Sequence, residues 1–358
     1  MTDHKQSDDQ PDSPSLPRAQ VKVGSPDGVL AIVPHLLGFH PSRSLVVLGV
    51  SGARDRIIMT FRYDLPDPPD TELADDIAAH ACAVLSRQEV PAAIVIGYGP
   101  AGLVAPVVDP LVGAVLQAGL EVREVLRAEG GRYWSALCQD PDCCPAGGVA
   151  FDPCSHPAAA ALSQAGPDPY PDRAALARTL TPPPGTARAT RQATGRALRR
   201  IDKLITAAQR AGRDPAEALA EAGRSAVLDA IRLYQSGTEI TDRSRLAFLA
   251  VILNDLRVRD DAWARQVPEH RSAHLRLWTD VLTGAAPEFV PAPASLLAFT
   301  AWQSGEGALA NVAVERALAA DPAYSMALLI ADAVQAGLPP SAARLPMTPE
   351  EVAASYAL

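Results

Sequence analysis

Leu45-Val46-Val47-Leu48-Gly49-Val50, followed by Ile57-Ile58-Met59-Thr60-Phe61-Arg62-Tyr63, is the stretch that decides the fold class. Each run is apolar, rich in β-branched residues and of strand length. The polar link 51–56 holds Gly52 and reads as a hairpin loop. Pro66, Pro68 and Pro69 end the second strand, since proline cannot donate to a ladder. Downstream, Thr71 to Arg87 places Leu73, Ile77, Ala81 and Val84/Leu85 on one helical face. Ala92 to Tyr98 (AAIVIGY) is a buried strand, and Val107 to Ala118 a helix stopped by Gly119. Glu121 to Leu126 and Arg132 to Cys138 are further strands, separated by the turn at Glu129-Gly130-Gly131. This alternation predicts right-handed crossovers and a three-layer α/β domain over 21–145, with a mixed sheet led by the hairpin.

The pattern changes after that domain. Residues 146–185 carry Pro153, Pro157, Pro167, Pro169, Pro171 and Pro182-Pro183-Pro184, and read as a linker. From 186 to 346 the chain is helical by pattern. Asp214-Pro215 and Thr241-Asp242 mark helix starts, as do Pro268 and Pro322. Leu297 to Pro322 (LAFTAWQSGEGALANVAVERALAADP) fits within one 34-residue tetratricopeptide unit when Pro322 is placed at its closing proline. Gly305 falls at its turn, and Ala310, Val314 and Ala317 at the close helix crossing. The expected C-terminal half is therefore an all-helical, repeat-like domain, whose natural use is binding a protein partner. The first twenty residues are polar and acidic and read as a disordered tail, and 347–358 as a C-terminal tail.

Composition bounds the function. The chain has 358 residues, 48% of them hydrophobic, and a net charge of −9. That charge makes nucleic acid an unlikely default partner. The N-terminus lacks the pattern of a signal peptide, and no apolar run approaches the ~20 residues that cross a bilayer. No membrane association and a cytoplasmic location with reduced thiols are expected.

Several segments together resemble one family. They are Val33-Pro34-His35-Leu36-Leu37-Gly38-Phe39-His40-Pro41 with Ser44 to Val47, then Arg62-Tyr63-Asp64-Leu65-Pro66, then Tyr133-Trp134-Ser135 with Cys138-Gln139-Asp140-Pro141-Asp142-Cys143-Cys144-Pro145. Ala301-Trp302, Gly305 to Ala310 and Asp321 to Ser325 complete the set. This resembles the actinobacterial domain of unknown function 4192. The resemblance implies an actinobacterial source and the same two-part layout, and implies no activity.

Five constellations carry candidate chemistry. Cys138, Cys143 and Cys144 are candidate metal ligands, with zinc the possible ion. Their Cys-x4-Cys-Cys spacing differs from the usual two-knuckle pattern, and adjacent ligands are awkward where consecutive side chains point apart. Cys154 and His156 are the residues that would complete four ligands. A disulfide or simple packing are the alternatives. Gly97-Tyr98-Gly99-Pro100-Ala101-Gly102 fits G-x-G-x-x-G, but Pro106 and Pro110 place the helix start too late for a pyrophosphate. His40, Arg43, Ser44, Arg62 and Asp64 meet at one end of the hairpin if its strands pair. They form either a small-molecule or phosphate site or a structural Arg–Asp pair with a serine cap. The helix from Thr186 to Arg213 is basic, and a solvated face is the expected reading. Trp134, beside the cysteines, is the aromatic ring that could face a ligand; the other tryptophans read as core. Taken together, the expectation is a non-catalytic regulatory or scaffold protein binding a protein partner through 186–346. The alternatives are an enzyme or ligand-binding protein acting through the sheet, and a zinc or thiol redox sensor.

Overall fold

The structure, a computed structural model, describes residues 25–52, 56–342 and 347–356. The stretch read as an N-terminal tail, residues 1–20, lies outside them. The described chain opens with α1 (Pro26–Leu37), which the sequence reading did not mark. Pro26 occupies its first turn, and Gly38, at φ +76°, ends it in the left-handed region.

A six-stranded sheet follows: β1 (Ser44–Ser51), β2 (Arg56–Asp64), β3 (Ala92–Tyr98), β4 (Glu121–Glu129), β5 (Arg132–Ser135) and β6 (Val149–Ala150). Its order is β2-β1-β3-β4-β5-β6. The expected hairpin is present, with Ser44 opposite Asp64 and Val46 opposite Arg62. β1 also pairs antiparallel with β3, while β3 and β4 run parallel. The sheet is therefore mixed. Helix α2 (Thr71–Arg87) carries the chain from β2 across β1 to β3, and α3 (Ala101–Gln117) makes the parallel crossover to β4.

Burial explains the layers. β1 alternates Leu45 and Val47 toward one face with Val46, Leu48 and Val50 toward the other, and all are shielded from water. The first face packs on Ile77, Ala81 and Leu85 of α2 and on Val107 and Leu111 of α3. Gly97 allows α3 this close approach, since a Cβ there would lie 2.1 Å from Val104 Cγ1. Helix α3 starts at Ala101, six residues before the expected Val107. Pro106 and Pro110 are accommodated inside it on its partly exposed side.

The other face of the sheet meets Leu30, Val33 and Leu37 of α1, and Phe39. From there one continuous apolar core runs through Leu176 and Leu180 into the helical half. The stretch expected to be a linker is thus folded. It holds β6, α4 (Pro157–Ala165) and α5 (Arg173–Thr179), and α4 packs on α1. Pro157 sits at the first turn of α4, where a missing N–H costs nothing. Tyr170 N donates to Gly38 O (2.8 Å) and His40 N to Tyr170 O (2.9 Å), tying this stretch to the end of α1.

The remaining helices are α6 (Ala187–Arg210), α7 (Pro215–Gln235), α8 (Arg243–Ile252), α9 (Leu256–Ala264), α10 (Arg271–Gly284), α11 (Pro291–Gln303), α12 (Gly307–Ala320), α13 (Ser325–Gln335) and α14 (Pro349–Ser355). Asp214 and Asp242 cap α7 and α8 as the sequence suggests, accepting from Ala216 N (3.0 Å) and Ser244 N (2.8 Å). Helix α11 is buried along its whole length between α10, α12 and α13. α14 falls in the segment read as a C-terminal tail and packs on α9. The end of α13 returns to the first half. His80 Nε2 meets Gln335 O at 2.8 Å, Gln88 Nε2 donates to Gly337 O (2.7 Å), and Val84 packs beneath Gly337. The architecture is an N-terminal α/β domain and a helical C-terminal region that share one core. No helix among the described residues is long and apolar enough to cross a membrane.

Candidate functional site

The cysteine loop is built on the β4–β5 hairpin. Ser135, the last residue of β5, donates to Glu124 Oε1 (2.8 Å) and accepts from Cys138 N (3.1 Å) and Leu137 N (3.3 Å). Asp140 then organises the turn. Its carboxylate accepts from Asp142 N (2.9 Å), and its carbonyl accepts from Cys144 N (2.7 Å). Pro145 O accepts from Gly148 N (2.8 Å) and closes the far end. The loop is therefore held at both ends by hydrogen bonds.

This turn gathers the three thiols. The Sγ atoms of Cys138, Cys143 and Cys144 all lie within 4.8 Å of one another. Adjacent cysteines converge because the backbone is turned rather than extended, so the argument from opposed side chains does not apply here. All five cysteines are free thiols, and Cys143 is exposed. The hydrogen bond from Cys144 lowers the Cys138 pKa and, reciprocally, raises that of Cys144 to about 12. Cys154 and His156 do not join the cluster. His156 instead caps α4, its Nδ1 accepting from Ala158 N (3.1 Å), and Cys154 is exposed.

Trp134 braces this loop. Its Nε1 donates to Ala146 O (3.0 Å), and Gly148, at φ +77°, leaves no room for a side chain against the ring. On the ring lies the Arg127 guanidinium, 3.5 Å from the centroid and paired with Glu129 (2.8 Å). Trp134 is thus occupied by protein groups.

At the opposite edge the structure brings Ser44, Arg62 and Asp64 together. Arg62 Nε donates to Ser44 Oγ (2.8 Å), its Nη2 pairs with Asp64, and its guanidinium lies 5.6 Å from the Phe39 ring. Ser44 Oγ in turn donates to Ser42 O (2.6 Å). The Arg62 side chain is 13% exposed and that of Asp64 79%. Arg43 turns away and pairs with Asp67. His40 is held through its backbone by Tyr170. The arginine is satisfied within the chain, which is the geometry of a structural pair with a serine partner.

Sequence reasoning missed a second polar group, because α10 and two connecting segments far apart in the chain supply it. Glu239, Arg276, Asp280 and Glu306 line a depression of about 240 Å³ in the helical half. The Tyr234 hydroxyl donates to Asp280, and burial raises the pKa of both Asp280 and Glu306.

A family model described as a domain of unknown function (DUF4192) matches residues 26–341. No curated protein matches the chain, and no solved structure matches it.

Proposed function

This chain belongs to the family of the domain of unknown function DUF4192, and from that premise, which carries no activity, we propose that it is a thiol-based regulatory protein holding a thiophilic metal ion, zinc in the first instance. The observation that carries the reading is the convergence of Cys138, Cys143 and Cys144 within 4.8 Å. Zinc–sulfur bonds of about 2.3 Å at tetrahedral angles put ligand sulfurs roughly 3.8 Å apart. The three thiols need close by no more than about 1 Å to reach that spacing. Thiolates select zinc or copper(I) over hard cations such as magnesium and calcium. Among the described residues no fourth Cys, His, Asp or Glu joins them. Structural zinc sites are closed by four protein ligands; a three-ligand set leaves a position for an outside ligand. Such a site suits an exchangeable, sensing ion.

The test is elemental analysis of the full chain, purified without oxygen and incubated with one equivalent of zinc. One tightly held zinc per chain, lost in Cys143→Ser and Cys144→Ser variants that still fold, is the expected result. Zinc content below a tenth of an equivalent, or unchanged in both variants, refutes it.

A second reading, a protein partner docking on the helical region 186–346, is supported by Leu328 and Leu329. These stand 41% and 58% exposed on α13, the last helix of the α11–α12–α13 stack. Binding of a partner that survives Leu328→Ala with Leu329→Ala rules that surface out.

A further inference from the structure

Helix α6 is 24 residues long and packs against α7 and α8 through Ala193, Ala197 and Ala208. At 100° per residue, Arg188, Arg191, Arg199, Lys203 and Arg210 fall within roughly a 120° arc on the side away from those alanines. All five are exposed. None of their side chains has an ion pair or hydrogen bond among the described residues. Arg196 and Arg200, which lie toward α8, are engaged instead. Arg196 Nε donates to Ser244 Oγ (2.9 Å), and Arg200 lies 3.8 Å from the Phe248 ring centroid. The helix thus separates its cations into a packing set and a free set. The free set forms a row about 33 Å long, from position 188 to 210 at 1.5 Å per residue. Asp202 is the one carboxylate on that face.

We propose that this row of α6 is a binding surface for the phosphate backbone of duplex nucleic acid, a use that goes beyond the metal site and does not depend on it. Three features select this occupant. First, protein–protein interface cores are built on buried aromatic and apolar anchors, and this face has no aromatic residue. Protein–nucleic acid interfaces are instead strongly positive. Second, binding of single strands relies on aromatic stacking platforms, also absent here, which leaves the duplex. Third, four of the five cations are arginine, whose planar fork matches phosphate oxygens. The net charge of −9 does not cancel the row, because at physiological ionic strength charges beyond about 8 Å are screened. With contacts limited to phosphates, the binding reads no base sequence.

The experiment measures fluorescence anisotropy of a labelled 20-base-pair duplex of arbitrary sequence with the full chain, from about 50 to 200 mM salt. About five phosphate contacts predict a log–log salt slope of roughly −4 to −5, with micromolar-range affinity at the low-salt end. Arg191→Glu with Arg199→Glu is expected to weaken binding at least tenfold and flatten the slope by about 2. Arg191→Lys with Arg199→Lys is expected to keep the slope. Both pairs are exposed, so unchanged circular dichroism and thermal midpoint will show that folding is intact. The proposal is overturned if the parent chain shows no salt-dependent binding at 50 mM. It is equally overturned if the Glu pair binds as the parent does, or if α6-dependent binding is found for vesicles containing phosphatidylglycerol and not for the duplex.

Discussion

His274 offers a direct measure of how far the interior of the helical region excludes water. It lies on α10, 1% exposed, stacked on Trp278 with ring centroids 6.3 Å apart, and among the described residues neither ring nitrogen makes a hydrogen bond of normal geometry, the Arg265 backbone being the nearest such group to act on it. Burial, with a smaller contribution from the charge of His270, lowers its pKa from 6.5 to about 4. The folded pKa is depressed, so the unfolded chain binds the proton more readily. The stability is fully present above pH 6.5 and is lost as pH falls from 6.5 toward 4. A difference of that size amounts to about 3 kcal/mol by pH 4, and about 2 kcal/mol is already gone at pH 5. Urea denaturation at pH 7.5, 6 and 5 should show the loss. His274→Phe, which keeps the ring and removes the titrating nitrogens, should lack that component. Asp280 and Glu306 have raised pKa values and contribute the opposite slope, so the quantity to read is the parent-minus-variant difference. A difference that does not change between pH 7.5 and 5 would refute the reasoning.

Other substitutions probe the remaining parts. Ser44→Ala removes the acceptor of a largely buried guanidinium and should lower stability by about 1–3 kcal/mol, read by chemical denaturation; a neutral result would favour a ligand role for Arg62. Gly97→Ala drives a methyl group into Val104 and should cost about 1–3 kcal/mol, with the loss visible in the thermal midpoint. Trp134→Ala frees the far end of the cysteine loop and should weaken zinc binding by about 10-fold to 100-fold in chelator competition, without changing its stoichiometry.

Much of the fold was legible because burial on both faces leaves a plain mark. Residues 45–50 and 92–96 are apolar at every position, and only a sheet covered on both sides explains that. Asp214 and Asp242 were readable as caps for a local reason: short acidic side chains satisfy free amides at helix starts. The misreadings came from proline. Pro106 and Pro110 argue by propensity against a helix start before them, yet α3 carries both on a partly exposed side. The prolines of 146–185 suggested an unpacked connector, yet Leu176 and Leu180 anchor it in the core beside short helices. The site was half legible. The cysteine types and their nearness in sequence were visible, but their convergence depends on the turn organised by Asp140, which spacing alone does not encode. The depression around Asp280 had no signature at all, since α10 and two connecting segments distant in sequence bring its polar residues together.

Cobalt(II) titration of the reduced full chain under anaerobic conditions tests the metal assignment most directly, because sulfur-to-cobalt charge-transfer absorption reports thiolate ligands. Saturation at one cobalt per chain is expected, with the band lost at stoichiometric cobalt in Cys138→Ser, Cys143→Ser and Cys144→Ser and absent at any cobalt level when all three are replaced. A titration without a charge-transfer band, or a band that persists in the triple variant, would contradict it.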